Sequence, residues 1–155
     1  MLVECFYCIM ISAGFCVIYQ MRGMDVFWGA LGSGMGWAVY LLFMNLADSM
    51  IISYCLATIV ATIYAEIMAV LRRKPSTIFL IPSIIPFVPG GIVFRSMSAW
   101  LDGRQNDFLT QGRYAITVAA ALAMGIIIGI SIMRLQRNIK RYVKEKRLYD
   151  KKTSV

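Results

Sequence analysis

The segment Lys74–Trp100, KPSTIFLIPSIIPFVPGGIVFRSMSAW, is apolar enough to enter a membrane but interrupts its own helix. Pro82, Pro86 and Pro89 each remove a backbone donor and clash with the preceding helical turn. The pair Gly90–Gly91 follows directly and favours no single backbone conformation. Non-helical backbone at membrane depth persists only where protein buries it or water reaches it. The pattern therefore favours a transport site, and the alternative is a merely kinked span, since Pro and Gly are common in membrane helices.

The composition of the chain is that of a membrane protein. Of its 155 residues, 59% are hydrophobic and 15% are charged, whereas a soluble domain carries about 25% charged residues. We therefore expect an all-α integral membrane protein in one compact domain. The first apolar run contains Glu4 instead of a basic leader and is long enough to span, so no removable signal peptide is expected.

The basic charge is concentrated at the C-terminus. From Arg134 onward there are nine Lys or Arg and two acidic residues, while the rest of the chain carries seven basic and six acidic residues. The net charge of +8 thus describes a tail and not a nucleic-acid-binding surface, and such a tail is attracted to anionic lipid. It reads as an amphipathic helix that either lies on lipid or docks on a partner, with an apolar face of Leu135, Ile139, Tyr142, Val143 and Tyr149.

The cysteines and the missing histidines disfavour an enzyme. Cys5, Cys8, Cys16 and Cys55 all lie in apolar runs, where we expect reduced packing residues. The sequence has no His that would complete a zinc site with the Cys5/Cys8 pair. Without a conventional nucleophile–base pair, no catalytic site is expected, and neither a metal nor another cofactor is indicated.

Five hydrophobic stretches reach the length of roughly 20 residues that a bilayer requires. We place the spans at 2–21, 26–46, 49–71, 77–100 and 114–133, the fourth being the interrupted one. Residues 1–133 then form a five-helix transmembrane domain, and residues 134–155 form a basic cytoplasmic tail.

Small residues recur at a spacing of four on two of these spans. Gly32 and Gly36 form G-x-x-x-G on the second, and Gly125 and Gly129 continue a stripe from Ala121 on the fifth. Such stripes let helix backbones approach closely. One stripe is available to close the domain on itself and the other to face a neighbour; a tolerated scatter of glycine is the alternative for the second span.

The charges of the loops set the expected orientation. With five crossings, the loop at Arg22, the loop at 72–74 and the tail share one side, which the positive-inside rule makes cytoplasmic. The N-terminus is then outside. A re-entrant hairpin at the interrupted segment would place the tail opposite 72–74, which disfavours that topology.

A substrate site is predicted around Arg95. Its guanidinium is able to grip a carboxylate through two parallel hydrogen bonds, and the helix that restarts near Gly91 offers free backbone N–H groups. We place Gly90 and Ser83 in the same site. The alternative for Arg95 is a side chain that reaches the outer interface near Trp100.

Two carboxylates also lie within or beside a span, where burial of a charge is costly. Glu66 is a candidate for proton coupling, because burial favours the protonated form of a carboxyl group. Its alternative is an ion pair with Arg72 or Arg73 on the same helix. We read Asp48 as a cap of the third helix.

The run RRKPSTIFLIPSIIPFVPGGIVFRSM, residues 72–97, resembles the threonine/serine exporter family. Residues 82–97 are similar to its pattern P-G-x-x-P-L-V-P-G-x-x-x-Y-x-x-M, with Ser83, Phe87 and Phe94 in place of Gly, Leu and Tyr. The run GALGSGMGWAVY at 29–40 is similar to the Gly-rich second helix of the family. Size and layout resemble the small subunit of the split, ThrE-like form.

The resemblance implies one five-helix half of an exporter in the plasma or inner membrane, with a larger ThrE-like subunit as partner. Fused members export threonine and serine with the proton gradient, and the split pair is associated with succinate. From the residues alone, a homo-oligomer is equally possible. The expected function is therefore a subunit of a gradient-driven exporter of small carboxylate-bearing metabolites; the alternative is a non-transporting assembly subunit that recruits a partner or anionic lipid.

Overall fold

The computed structural model describes residues 2–47 and 49–153, with side chains for 3–46, 49–139 and 142. Throughout these residues the regular structure is helical, which confirms the all-α class. The helices are α1 (Leu2–Ile18), α2 (Met24–Ala47), α3 (Met50–Arg72), α4 (Ser76–Ile84), α5 (Gly90–Leu101) and α6 (Gln105–Thr153), with a 3₁₀ turn at Ile85–Phe87 between α4 and α5.

Three helices are long and apolar enough to cross a membrane, and a fourth crossing is counted if α4 and α5 form one bent span. The three are the segments Met24–Leu46, Met50–Arg72 and Gln105–Ile139. The chain is thus a membrane protein, and its helices α2 and α3 fall within a few residues of the expected second and third spans.

The first helix is shorter than the span expected from its apolar run. α1 ends at Ile18 because Gln20 adopts a left-handed conformation with φ of 56°. The backbone N–H of Met21 then donates to the carbonyl of Cys16 at 3.0 Å, which closes the end of the helix. The 17 residues of α1 extend about 26 Å, near the lower limit for a span.

The fifth expected span and the tail belong to one helix. α6 starts at Gln105, before the expected start at Tyr114, and its backbone continues through the tail. The polar segment before Tyr114 is helical because its first Pro or Gly after Gly103 is Gly112, so nothing stops a helix in its opening turns.

Neighbouring helices α1, α2 and α3 run antiparallel. The Ser33 hydroxyl of α2 donates to the carbonyl of Cys8 on α1 at 3.0 Å. The rings of Tyr40 and Tyr54 lie 4.7 Å apart between α2 and α3, and the Tyr64 hydroxyl donates to the carbonyl of Trp28 at 2.8 Å.

α3 and α6 run parallel to each other. A Cβ placed on Gly125 would lie 2.8 Å from the carbonyl oxygen of Cys55, and one on Gly129 would lie 2.7 Å from Thr62. Later residues of α6 therefore face later residues of α3, which means that the two helices run in the same direction. α5 runs antiparallel to α6, with the Ser96 hydroxyl donating to the carbonyl of Phe108 at 3.1 Å.

The core forms two clusters around buried phenylalanines. Phe87, from the 3₁₀ turn, packs between α2, α3 and α6 against Tyr40, Tyr54 and Val118. Phe79 of α4 packs nearer the end that carries the basic clusters. Both rings anchor the segment from α4 to the 3₁₀ turn in the bundle.

Candidate functional site

The interrupted segment bends by 46° between Ser76–Phe87 and α5. The 3₁₀ turn ends at Phe87, Val88 is extended, and Pro89 precedes the first residue of α5. The Phe87 ring lies against Gly36, at the midpoint of α2, since a Cβ there would be 3.0 Å from the ring. The break therefore lies near the middle of the bundle.

Ser12 of α1 compensates for one proline of the break. Pro86 has no N–H to donate to the carbonyl of Pro82, four residues before it. The buried Ser12 hydroxyl donates to that carbonyl at 2.8 Å instead. Sequence reasoning missed Ser12, although a hydroxyl within an apolar span is the kind of residue that satisfies freed backbone groups.

The restart of the helix at Gly90 and Gly91 is open. Both glycines are exposed, and a Cβ on either would meet nothing within 4 Å. The N–H of Val93 donates to the carbonyl of Pro89 at 3.0 Å, and no side chain caps α5. The N–H groups of Gly91 and Ile92 precede that first helical bond, so they belong to the unpaired opening turn of the helix.

Arg95 lies one helical turn after Gly91 and is exposed. It lines a cavity of ≈ 340 Å³ together with Arg104, Asp107 and Gln111. Arg104 is paired with two carboxylates, Asp102 at 2.7 Å and Asp107 at 3.1 Å. Over the described residues, Arg95 makes no ion pair.

Ser83 is separated from the other predicted substrate-binding residues. It is fully buried, and its hydroxyl donates to the carbonyl of Phe79 at 2.7 Å and faces that of Gly29 at 3.5 Å. The structure thus brings Gly90, Gly91 and Arg95 onto exposed α5 and leaves Ser83 behind the break, between α4 and α2.

Glu66 is buried, with 8% of its surface exposed, and accepts a hydrogen bond from the guanidinium of Arg137 on α6. The ion pair therefore has a different partner from the neighbouring Arg72 or Arg73 considered from the sequence. Arg72 donates to Asp25 instead, at 2.7 Å.

Asp25 is the charged residue that sequence reasoning left unassigned. It is 3% exposed in the first turn of α2 and binds both Arg72 and Lys74. Lys74 reaches it because Arg73 is left-handed, with φ of 53°, which turns the chain at the end of α3. Asp48, which we expected to cap the third helix, lies outside the described residues.

All four glycines of the predicted stripes make contacts inside the chain. A Cβ on Gly32 would lie 2.2 Å from the Ser83 hydroxyl, and Gly36 faces the Phe87 ring. Gly125 and Gly129 face α3, as described above. Both stripes therefore pack against other segments of the same chain, and neither presents these glycines to a neighbouring subunit.

The described residues contain no group of three or more His, Cys, Asp or Glu side chains that could hold a metal ion. No curated protein and no solved structure matches the chain significantly. The family model described as Threonine/Serine exporter, ThrE, matches residues 4–132, a range that contains the interrupted segment, both glycine stripes and Glu66. The chain belongs to the threonine/serine exporter family.

Proposed function

We propose that the chain is one subunit of a proton-gradient-driven exporter of small carboxylate-bearing metabolites, either threonine and serine or a dicarboxylate such as succinate. The observation that carries the proposal is the break between α4 and α5 beside Gly36, at the midpoint of α2. Transporters bind their substrates near the bilayer midplane at discontinuous helices of this kind.

The start of α5 suits a carboxylate. The unpaired N–H groups of Gly91 and Ile92 lie at the positive end of the helix dipole, and the glycines allow a ligand to approach the backbone. Arg95 follows Gly91 by four residues, so both lie on one face of α5. Its guanidinium supplies the bidentate contact that a carboxylate prefers.

The exposed face of α5 favours a second subunit. Arg95 is flanked by apolar side chains that point away from the bundle, with Phe94 74% exposed and Met97 56% exposed. If this face of α5 met lipid within the membrane, Arg95 would be a costly exposed cation. A larger ThrE-like subunit against α5 would cover Arg95 and supply the second wall of the cavity; a second copy of this chain is the alternative occupant.

Contacts between α3 and α6 support five crossings. A re-entrant α4–α5 hairpin would return the chain to the side where α3 ended and make α6 antiparallel to α3. The contacts of Gly125 and Gly129 instead make the two helices parallel, as one crossing by α4 and α5 requires. We propose that α1 crosses as well, with the N-terminus outside and the tail in the cytoplasm of a plasma or inner membrane.

The experiment is efflux of threonine, serine and succinate from cells that express this chain with and without its larger partner. We expect export only with both subunits. Unchanged efflux under both conditions would reject transport and leave the non-transporting assembly subunit as the function.

The predicted carboxylate ligand is tested in the same assay. Arg95→Lys keeps the charge but loses the bidentate fork, so we expect impaired transport with normal membrane insertion. Arg113→Lys is the matched control, because Arg113 is exposed on α6 and lines a different cavity. Wild-type export by both Arg95→Lys and Arg95→Ala would show that the Arg95 side chain only reaches the outer membrane–water interface near Trp100.

Glu66 is proposed as the proton carrier, with Arg137 as its ion-pair partner. Glu66→Gln should then abolish gradient-driven export but keep substrate exchange, which needs no net proton movement. Equal loss of both activities in Glu66→Gln and Arg137→Gln would show that the pair only joins α3 to α6.

A further inference from the structure

A second cavity lies between α1 and α4, far from the open face of α5. It measures ≈ 320 Å³ and is bounded by residues 19–22 at the end of α1 and by Lys74 and the first two turns of α4. α1 and α4 are joined by the hydrogen bond from Ser12 to the carbonyl of Pro82. Because Pro82 also lines the cavity, that contact marks its inner end.

The inside and the rim of this cavity differ in polarity. Its inner wall is apolar and consists of Ile78, Ile81 and Pro82. The rim carries Arg22 and Lys74. From the start of α4 to Pro82 the helix rises about 9 Å, so the cavity extends from a cationic edge into the apolar bundle.

The two cations differ in how far they are already neutralised. Lys74 is bound to buried Asp25. Arg22 is exposed and pairs with no carboxylate among the described residues. The rim therefore has positive charge to offer an anion, and Arg22 is its principal donor.

We propose that this cavity binds an anionic phospholipid, with the phosphate at Arg22 and Lys74 and an acyl chain along Ile78 and Ile81. Basic pockets between transmembrane helices are suited to acidic lipid head groups. A small metabolite that is polar at both ends fits less well, because its inner end would lose its hydration against Ile81 and Pro82. The site is distinct from the basic tail and independent of the proposed transport function.

The test is native mass spectrometry of the full chain in detergent, with phosphatidylglycerol and phosphatidylcholine of identical acyl chains. We expect tighter binding of phosphatidylglycerol. Arg22→Gln should weaken it about fivefold, the equivalent of the ~1 kcal/mol that one basic residue contributes at a membrane surface, and should weaken phosphatidylcholine less, because the choline cation already neutralises the phosphate of that lipid.

A second variant tests the apolar wall. Ile78→Phe should fill the cavity and weaken both lipids without any change of charge. Arg73→Gln is the matched control: it removes an exposed basic residue next to Lys74 that does not line this cavity, so it should bind both lipids as the wild type does. The tail is intact in every variant and cancels from the comparison.

Three results would overturn the proposal. Wild-type binding by both Arg22→Gln and Ile78→Phe would remove the site. An equal loss in Arg73→Gln and Arg22→Gln would mean that diffuse surface charge holds the lipid. Full displacement of phosphatidylglycerol by glycerol 3-phosphate would show that the cavity takes a soluble anion instead of a lipid.

Discussion

At the scale of single residues, the buried carboxylates join parts of the chain that are distant in sequence. Asp25 connects the start of α2 to the end of α3, and Glu66 connects α3 to α6 through Arg137. Sequence reasoning singled out Glu66 because a carboxyl within an apolar span is conspicuous. Its partner was not predictable, since Arg137 lies 71 positions away and was assigned to the tail.

Asp25 was overlooked because a charged residue between two spans resembles an ordinary loop residue. Its burial arises only when the ends of α2 and α3 come together and the left-handed Arg73 directs Lys74 towards it. Position in a sequence does not give that geometry. The nearby basic cluster was interpreted as a marker of orientation and as an alternative ion-pair partner for Glu66, but two of its three members bind Asp25 instead.

We predict that Asp25→Asn destabilises the protein by about 1–3 kcal/mol. Removing one partner of a buried ion pair costs about 3–5 kcal/mol, but the side chains of Arg72 and Lys74 are 38% and 44% exposed, so water offsets part of that loss. The measurement is the thermal unfolding midpoint of purified protein in detergent.

The control for this prediction is Asp102→Asn, which removes a carboxylate whose side chain is 55% exposed beside Arg104. Exposed pairs contribute about 1 kcal/mol or less. A midpoint for Asp25→Asn no lower than that of Asp102→Asn would contradict the structural importance of the buried pair.

At the scale of elements, the position of the break followed from the sequence and the partners of the break did not. Prolines act locally by removing donors, so 82–91 marks the interruption without any tertiary information. The rescue of the Pro82 carbonyl by Ser12 is a contact between helices. The burial of Ser83 likewise depends on how closely α4 approaches α2 at Gly29.

The glycines of α6 provide a test of helix packing. Gly125→Ala places a Cβ 2.8 Å from the carbonyl of Cys55 on α3. We expect a loss of about 1–3 kcal/mol, the usual cost of overpacking. Gly14→Ala on α1 is the matched control: a Cβ there meets nothing within 4 Å, so the better helix propensity of Ala should stabilise it by up to about 1 kcal/mol. Unfolding midpoints that shift in the same direction would refute this account.

A substitution at Gly91 should impair export without lowering the stability of the protein. A Cβ at Gly91 meets no atom within 4 Å, and its φ is not positive, so Gly91→Ala should fold at least as stably as the wild type. The added methyl group obstructs the approach of a carboxylate to the backbone at the start of α5, so we expect weaker export, with a raised KM. An export rate equal to that of the wild type would remove the opening turn of α5 from the substrate site.

At the scale of the whole molecule, the arrangement of helices leaves α5 exposed, and α5 is the surface that we propose for a partner. The glycine stripes were the obvious candidates from the sequence, but packing inside the chain uses both of them. The exposed residues of α5 could not be identified beforehand, because a single apolar sequence does not distinguish a face towards lipid from one towards protein.

The final prediction concerns the two sides of the membrane. Parallel α3 and α6 require one crossing by α4 and α5 between them, so Arg73 and Gln105 should face opposite sides. Single cysteines at these positions, in a background with the four native cysteines replaced, are to be labelled with a membrane-impermeant maleimide in intact cells. We expect labelling of Gln105→Cys alone, because the basic cluster at 72–74 favours the cytoplasm. After lysis both should react, which controls for access. Labelling of both positions in intact cells would place them on one side and contradict five crossings with the tail inside.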